Sequence, residues 1–375
     1  MLQELIAFIV SLFDPLKETW VYPGLEEVAK FMGTHLISGM IPAFFIAGAI
    51  AIFLDKQRIT KLMGTEANPF IAYPVAAISG GLLTVCSCGV LPIFMGIMQQ
   101  GAGIGPAFTF LMASPAVNLI ALTYTYTLLG SKYMFLRALL VFFSSICIGL
   151  LMRALCRQPE PAAETDVILV EEEFDRTDGQ LLFFFFLLIL VMVTSTGVLD
   201  PLLIKLSGQQ ESGDLLFLRI ALIVAELFLT AYFSRKWFHK YEIILWLKKS
   251  KSLFIMIFPK VLGGIFLCGV IALALPLTSF ISYFDTNNVQ GNLLASILGS
   301  IMYFGTIVGV TIVATLKGLG MNDGPAMTLL LSAPAVSLPS ILALVPIAGA
   351  KKSAVFLLLV VIFSALSGYI FGMTF

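Results

Sequence analysis

Thr84-Val85-Cys86-Ser87-Cys88-Gly89-Val90-Leu91-Pro92 interrupts an otherwise apolar run from Phe70 to Met98. Two thiols one residue apart, a glycine and a proline stand where a spanning helix would carry aliphatic side chains. In hydrocarbon, a broken backbone is tolerated only where protein or a water-filled cavity satisfies the freed polar groups. If the chain crosses a membrane, this is a place where something is bound or passed.

Composition says that it does cross one. The 375 residues are 59% hydrophobic and only 12% charged, against roughly half and about a quarter in an ordinary soluble chain. Most of the charges fall between apolar stretches of at least the ~18–20 residues that a spanning helix needs. The stretches are Phe31–Leu54, Phe70–Met98, Ile104–Leu129, Lys132–Leu155, Leu181–Leu199, Leu215–Ser234, Ser252–Leu275, Asn292–Leu316, Gly324–Ile347 and Ser353–Met373. The fold class is an all-α integral membrane protein. Met1 to Phe13 carries Glu4 and no basic leader, so it reads as an interfacial helix or a partial span, not a signal peptide. Cys86, Cys88, Cys147, Cys156 and Cys268 all lie in or beside apolar segments, unlike an extracellular disulfide framework. No phosphate-binding loop is present, so any uphill movement is not driven by an ATPase of this chain. No cofactor, no nucleic-acid partner and no enzymatic activity are expected.

The chain divides into an N-terminal segment (1–30), a first membrane repeat (31–155), an acidic linker (156–180), two connecting spans with a basic loop (181–251) and a second repeat (252–375). The linker carries Glu160, Glu164, Asp166, Glu171, Glu172, Glu173, Asp175 and Asp178 with Pro159 and Pro161, the composition of a solvated loop. The repeats share a constant offset, the one that carries Gly80 to Gly299. It also carries Gly101 to Gly320, Gly105-Pro106-Ala107 to Gly324-Pro325-Ala326, Thr109 to Thr328, Pro115-Ala116-Val117 to Pro334-Ala335-Val336, Gly130 to Gly349 and Gly149 to Gly368.

Loop charges orient the repeats, because Lys and Arg concentrate on cytoplasmic loops. Arg235–Lys251 is strongly basic, and Lys56, Arg58 and Lys61 mark Asp55–Pro69. Lys351-Lys352 precedes the last helix, while Thr278–Gly291 holds Asp285 and no basic residue. With ten full spans these assignments conflict. With Phe70–Met98 and Asn292–Leu316 as re-entrant hairpins they agree, leaving about eight full spans and two inverted repeats. Lys132 and Arg137 then fall on the outer side, against the rule. Inverted repeats with discontinuous helices are a recurring construction of secondary transporters, with the substrate at the repeat interface.

Cys86 and Cys88 present two soft sulfurs to one thiophilic centre such as a soft metal or trivalent arsenic. Ser87 lies between them, and Gly89 and Pro92 supply the break. The same pair could instead pack as small hydrophobes, or exchange disulfides as an intramembrane thiol oxidoreductase. The second repeat has Gly305-Thr306-Ile307 at this place, so thiol chemistry is one-sided and Thr306 is the polar counterpart. Pro115 and Pro334 open backbone carbonyls beside Ser114, Asn118, Ser332 and Ser337, which either line a path or mark kinks between closely packed helices. Glu226 and Lys260 are the deeper intramembrane charges, candidates for proton or ion coupling or for a mutual ion pair. Asn322 and Asp323 read as the cap before Gly324-Pro325.

Cys86-Ser87-Cys88-Gly89-Val90-Leu91-Pro92, Gly101-Ala102 and Ala113-Ser114-Pro115-Ala116-Val117-Asn118 resemble the ArsP-like family of predicted permeases. So does Gly324-Pro325-Ala326 with Ala333-Pro334-Ala335-Val336-Ser337-Leu338-Pro339, and the likeness runs from Phe31 to the C-terminus. The resemblance implies a multi-pass permease of the cytoplasmic (inner) membrane. Its best-understood members export trivalent organoarsenicals. The implied partners are the lipid bilayer and a small-molecule or metalloid substrate, with a homo-oligomer left open. A non-transporting membrane subunit is the other alternative.

Overall fold

The structure, a computed structural model, describes residues 22–33, 36, 40–54, 56–83, 87, 89–156, 178–196, 212–274, 282–302 and 306–374. The expected interfacial segment before residue 22, most of the acidic linker, Cys86 and Cys88 lie outside the described residues. Within them the chain forms helices and no strand.

The first half contains α1 (Tyr22–Phe31), α2 (Ile41–Phe53), α3 (Lys56–Met63), α4 (Pro69–Leu82), α5 (Val90–Gln99), α6 (Ile104–Ala116), α7 (Leu119–Leu129) and α8 (Ser131–Leu155). Next come α9 (Asp178–Ser195), α10 (Ser212–Trp237) and α11 (Lys240–Ala274). The chain closes with α12 (Val289–Ile301), α13 (Thr306–Gly318), α14 (Asp323–Ala335), α15 (Leu338–Ala348) and α16 (Ala350–Thr374).

By length and composition α8, α10, α11 and α16 can each cross a membrane. Among the described residues the bent pairs α6–α7 and α14–α15 bring such elements to as many as six, and shorter apolar helices accompany them. The expected interruption of Phe70–Met98 is present. With 14 residues in α4 and 10 in α5, the two helices reach about 21 Å and about 15 Å, each short of a hydrocarbon core about 30 Å thick.

Two expected spans are not single helices. Ile104–Leu129 bends by 45° between α6 and α7, and Gly324–Ile347 bends by 46° between α14 and α15. Pro115 and Pro334 stand one residue before the end of the first helix in each pair. A proline there removes a donor and crowds the preceding turn. The next residues restart the helix by capping it: Asn118 Oδ1 accepts from Ala121 N at 2.6 Å, and Ser340 Oγ accepts from Ser337 N at 2.8 Å. The basic stretch expected as a loop is also helical. α11 runs unbroken from Lys240 to Ala274, across the position where the second repeat was expected to begin.

The offset that carries Gly80 to Gly299 carries both ends of α6, α7 and α8 onto both ends of α14, α15 and α16. It also carries the C-terminal ends of α4 and α5, but not their first residues, onto those of α12 and α13. The turns match too. Gly101 has φ 90° and Gly320 φ 106°, a left-handed conformation in which Ala102 N reaches Ile97 O at 3.1 Å and Met321 N reaches Leu316 O at 3.0 Å.

Packing follows the same correspondence. Each contact of α4 on α6, α6 on α8 and α7 on α8 recurs as α12 on α14, α14 on α16 and α15 on α16. Thr109 Oγ1 donates to Ser145 O at 3.2 Å, and Thr328 Oγ1 to Ser364 O at 3.4 Å. A Cβ on Gly149 would come within 2.6 Å of Gly105 O, and one on Gly368 within 2.6 Å of Gly324 O. Helices α6 and α8, like α14 and α16, therefore touch backbone to backbone, as small residues allow in membrane bundles. The halves meet where α6 packs on α14 and α8 on α16. Elsewhere, Phe53, Phe184, Phe238 and Trp246 tie α2 and α9 to the start of α11, and Trp246 Nε1 donates to Phe45 O at 2.8 Å.

Candidate functional site

Each half contains two interruptions. One separates α4 from α5, or α12 from α13; the other is the bend after α6 or α14. In the first half a side chain joins them: Ser114 Oγ donates to Leu83 O at 3.4 Å, just where α4 ends. The helices that start at the interruptions then cross the boundary between halves. α5 packs on α15, and its counterpart α13 packs on α7. Helices that start at the interruptions of one half thus pack on helices of the other.

Ser87 is buried within the first interruption, whose flanking Cys86 and Cys88 lie outside the described residues. Gly89 holds the N-cap position of α5. Pro92 is in the first turn of that helix, where a missing N–H is harmless, so the interruption lies before Gly89 and not at the proline. Thr306 opens α13. Ser114, Asn118, Ser332 and Ser337 are all buried. Ser332, unlike Ser114, spends its hydroxyl inside its own helix, donating to Thr328 O at 3.0 Å. Asn322 caps α14 as expected, its Oδ1 accepting from Gly324 N at 3.2 Å.

Glu226 is 8% exposed in α10 and accepts at Oε1 from Thr194 Oγ1 at 2.8 Å, while its Oε2 is buried without a protein partner. It does not pair with Lys260, which is half-buried on α11. Arg219 instead reaches the end of α9, donating from Nε to Thr194 O at 3.2 Å and from Nη2 to Ser195 O.

Two polar clusters were not anticipated. Arg137, counted from sequence as a loop charge, is 1% exposed inside the first half. Its Nε donates to Ala116 O at 3.2 Å and its Nη1 to Thr125 Oγ1 at 2.8 Å, and Thr125 in turn donates to Ala121 O at 2.6 Å. The second cluster bridges the halves. Tyr133 OH donates to Asp323 Oδ1 at 2.6 Å, Lys317 Nζ donates to Tyr133 OH at 2.8 Å, and Lys317 and Asp323 form an ion pair. An available signal was the constant offset: it sets Arg137 opposite Phe356, and Asp323, Lys317 and Tyr133 opposite Ile104, Met98 and Lys352, so these polar residues are not demanded by the repeat.

Among the described residues no three His, Cys, Asp or Glu side chains gather as a metal site. A helical membrane protein made of two like halves, each with helix breaks and buried polar groups, is the class that this fold and site define. The chain belongs to the ArsP_1 family, described as a predicted permease, whose model matches residues 25–373. It is 35% identical over 375 residues to the UPF0718 protein MJ0584 of Methanocaldococcus jannaschii, covering 99% of both chains. It is 28% identical over 109 residues to the UPF0718 protein YcgR of Bacillus subtilis, covering 28% of this chain and 36% of that one. No solved structure matches it.

Proposed function

We propose that the protein is a secondary permease of the cytoplasmic membrane that carries a small, thiol-reactive solute outward, with a trivalent organoarsenical or soft metal as the representative cargo. The observation that supports this reading is the doubled set of helix breaks, with α5 and α13, which start at them, each packing on a helix of the other half, α15 and α7. Membrane backbone is broken only around a cavity or a buried site, and transporters place substrate between such repeats. The halves are taken as inverted in topology. Arg137 supports that choice, since a guanidinium engaged inside the fold no longer counts as an outer-side basic residue against it.

In this scheme Cys86 and Cys88 grip the soft centre. Ser114, Asn118, Ser332, Ser337, Ser87 and Thr306 border the path, and rocking of one half against the other exposes it alternately to each side. Glu226 is assigned the coupling proton, because a buried carboxylate with one open oxygen can take up and release one.

Uptake into everted vesicles tests the reading, with phenylarsine oxide as the probe. Wild type accumulates it, and Cys86→Ser with Cys88→Ser does not. Equal accumulation by the two proteins would sink the thiol assignment. No accumulation of any soft metal or metalloid by wild type would sink the permease.

A further inference from the structure

The first half buries a positive charge that its own architecture does not need. Arg137 is 1% exposed, and both of its hydrogen-bond partners are neutral: the Ala116 carbonyl and the Thr125 hydroxyl. No carboxylate among the described residues pairs with it. A buried guanidinium is costly unless its charge is met by a counter-charge. The carbonyl end of α6 meets only part of it, since the end of a helix carries roughly half a unit of negative charge.

One explanation would be that the bend after α6 requires a cation to hold the freed Ala116 carbonyl. The second half argues against this. There the same helix boundaries and a 46° bend are built with Phe356 at the place of Arg137 and Leu344 at the place of Thr125. Both are buried, 1% exposed each, and Phe356 packs its ring 5.0 Å from that of Phe108. An apolar pair is therefore sufficient for this part of the fold. The polar pair in the first half needs another reason.

Its location supplies one. Ala116 is the last residue of α6, and Ser114, two residues earlier, is bonded to Leu83 at the edge of the break that holds Ser87. Arg137 is thus anchored to the polypeptide that joins the two interruptions of the first half. Two hydrogen bonds use Nε and Nη1, while a guanidinium has five donors in a planar fork that matches two oxygens of one anion.

We infer that Arg137, held by Ala116 O and Thr125, is the recognition group for an oxyanion on the transported molecule: a carboxylate, phosphonate or sulfonate. The cargo would then carry an oxyanion beside its thiol-reactive centre, met by a charge that only the first half supplies. This inference rests on the permease reading and narrows its substrate class.

The test is thermal unfolding of the purified full-length protein in detergent, titrated at constant ionic strength with acetate, methylphosphonate and methanesulfonate. At least one is expected to raise the midpoint saturably in wild type. R137Q should need at least about tenfold more of it, as loss of a charged hydrogen bond implies. The double variant R137F with T125L, which installs the second half's pair, should fold and not respond. R137K keeps the charge and loses the fork, so it should respond several-fold more weakly, and it decides the matter if the other two do not fold.

No saturable response to any of the three anions in wild type, or an unaltered response in R137K, R137Q or the double variant, overturns the proposal. Because binding is read without flux, the two readings fail separately. An intact anion response with no transport of any solute removes the permease alone, and transport with no anion response removes this inference alone.

Discussion

Tyr133, in the first turn of α8, donates its hydroxyl to Asp323 Oδ1 in the first turn of α14, across a distance of 2.6 Å and from one half of the molecule to the other. Lys317 completes the group by donating to the same hydroxyl at 2.8 Å and pairing with Asp323. Its ammonium also lies 4.6 Å from the centre of the Tyr133 ring. The side chains of Lys317 and Asp323 keep 28% and 32% of their exposure, so solvent screens the pair and its contribution stays well below that of a buried one.

The hydroxyl touches both charges, which makes it the lever for a test. Tyr133→Phe is expected to destabilise the protein by about 1 kcal/mol, and Asp323→Asn by about the same. A double-mutant cycle in thermal unfolding should return a coupling of at least ~0.5 kcal/mol. Strict additivity would mean that the bridge between halves contributes nothing. If the halves part during transport, the bridge must break, and Tyr133→Phe should alter flux by more than its effect on stability accounts for.

Gly149 and Gly368 occupy matched places, and each faces a threonine and a glycine carbonyl of the helix it crosses. Alanine at either needs room that the crossing lacks, so each change should cost about 1–3 kcal/mol. Gly263 lies inside α11, and a Cβ added there would meet nothing within 4 Å. At that position alanine should be neutral or stabilising by up to about 1 kcal/mol, since it removes only a helix-interior glycine. Midpoints of thermal unfolding for the three variants check the contrast. A tolerated alanine at both Gly149 and Gly368 would refute the backbone contact.

Asn118 carries the restart of α7 through one bond to Ala121 N. Asn118→Ala should lose about 1 kcal/mol of stability, the usual worth of a side-chain cap, whereas Asn118→Asp should retain most of it. Transport measured on both variants separates a structural cap from a path residue. Equal flux in the two would leave Asn118 as a cap alone.

The sequence revealed the helical membrane fold, the repeat and the interruption at Thr84–Pro92, because each depends on local composition or on recurring small residues. Pro115 and Pro334 were legible as breaks for the same reason. What escaped depends on distance. Arg137 looked like a loop charge because it lies near the start of a span, and only the packing of α6, α7 and α8 places it inside. Tyr133, Lys317 and Asp323 are ordinary polar residues at helix ends until the halves dock. The supposed pairing of Glu226 with Lys260 failed because apolar context identifies a buried charge without indicating which helix face it occupies.

Glu226 shows what that face adds. Its Oε1 is held by Thr194 and its Oε2 is not held by protein, so one oxygen is positioned while the other remains free to take a proton. If it couples transport to the proton gradient, Glu226→Gln should keep the Thr194 bond, fold normally and lose acceleration by an imposed pH gradient. Thr194→Val should leave the carboxylate titratable but less well placed, weakening the response without abolishing it. Flux in vesicles with and without a pH step, at zero membrane potential, distinguishes these cases. A wild-type response in Glu226→Gln would assign the carboxylate to packing between α9 and α10 and move the search for a coupling group elsewhere in the chain.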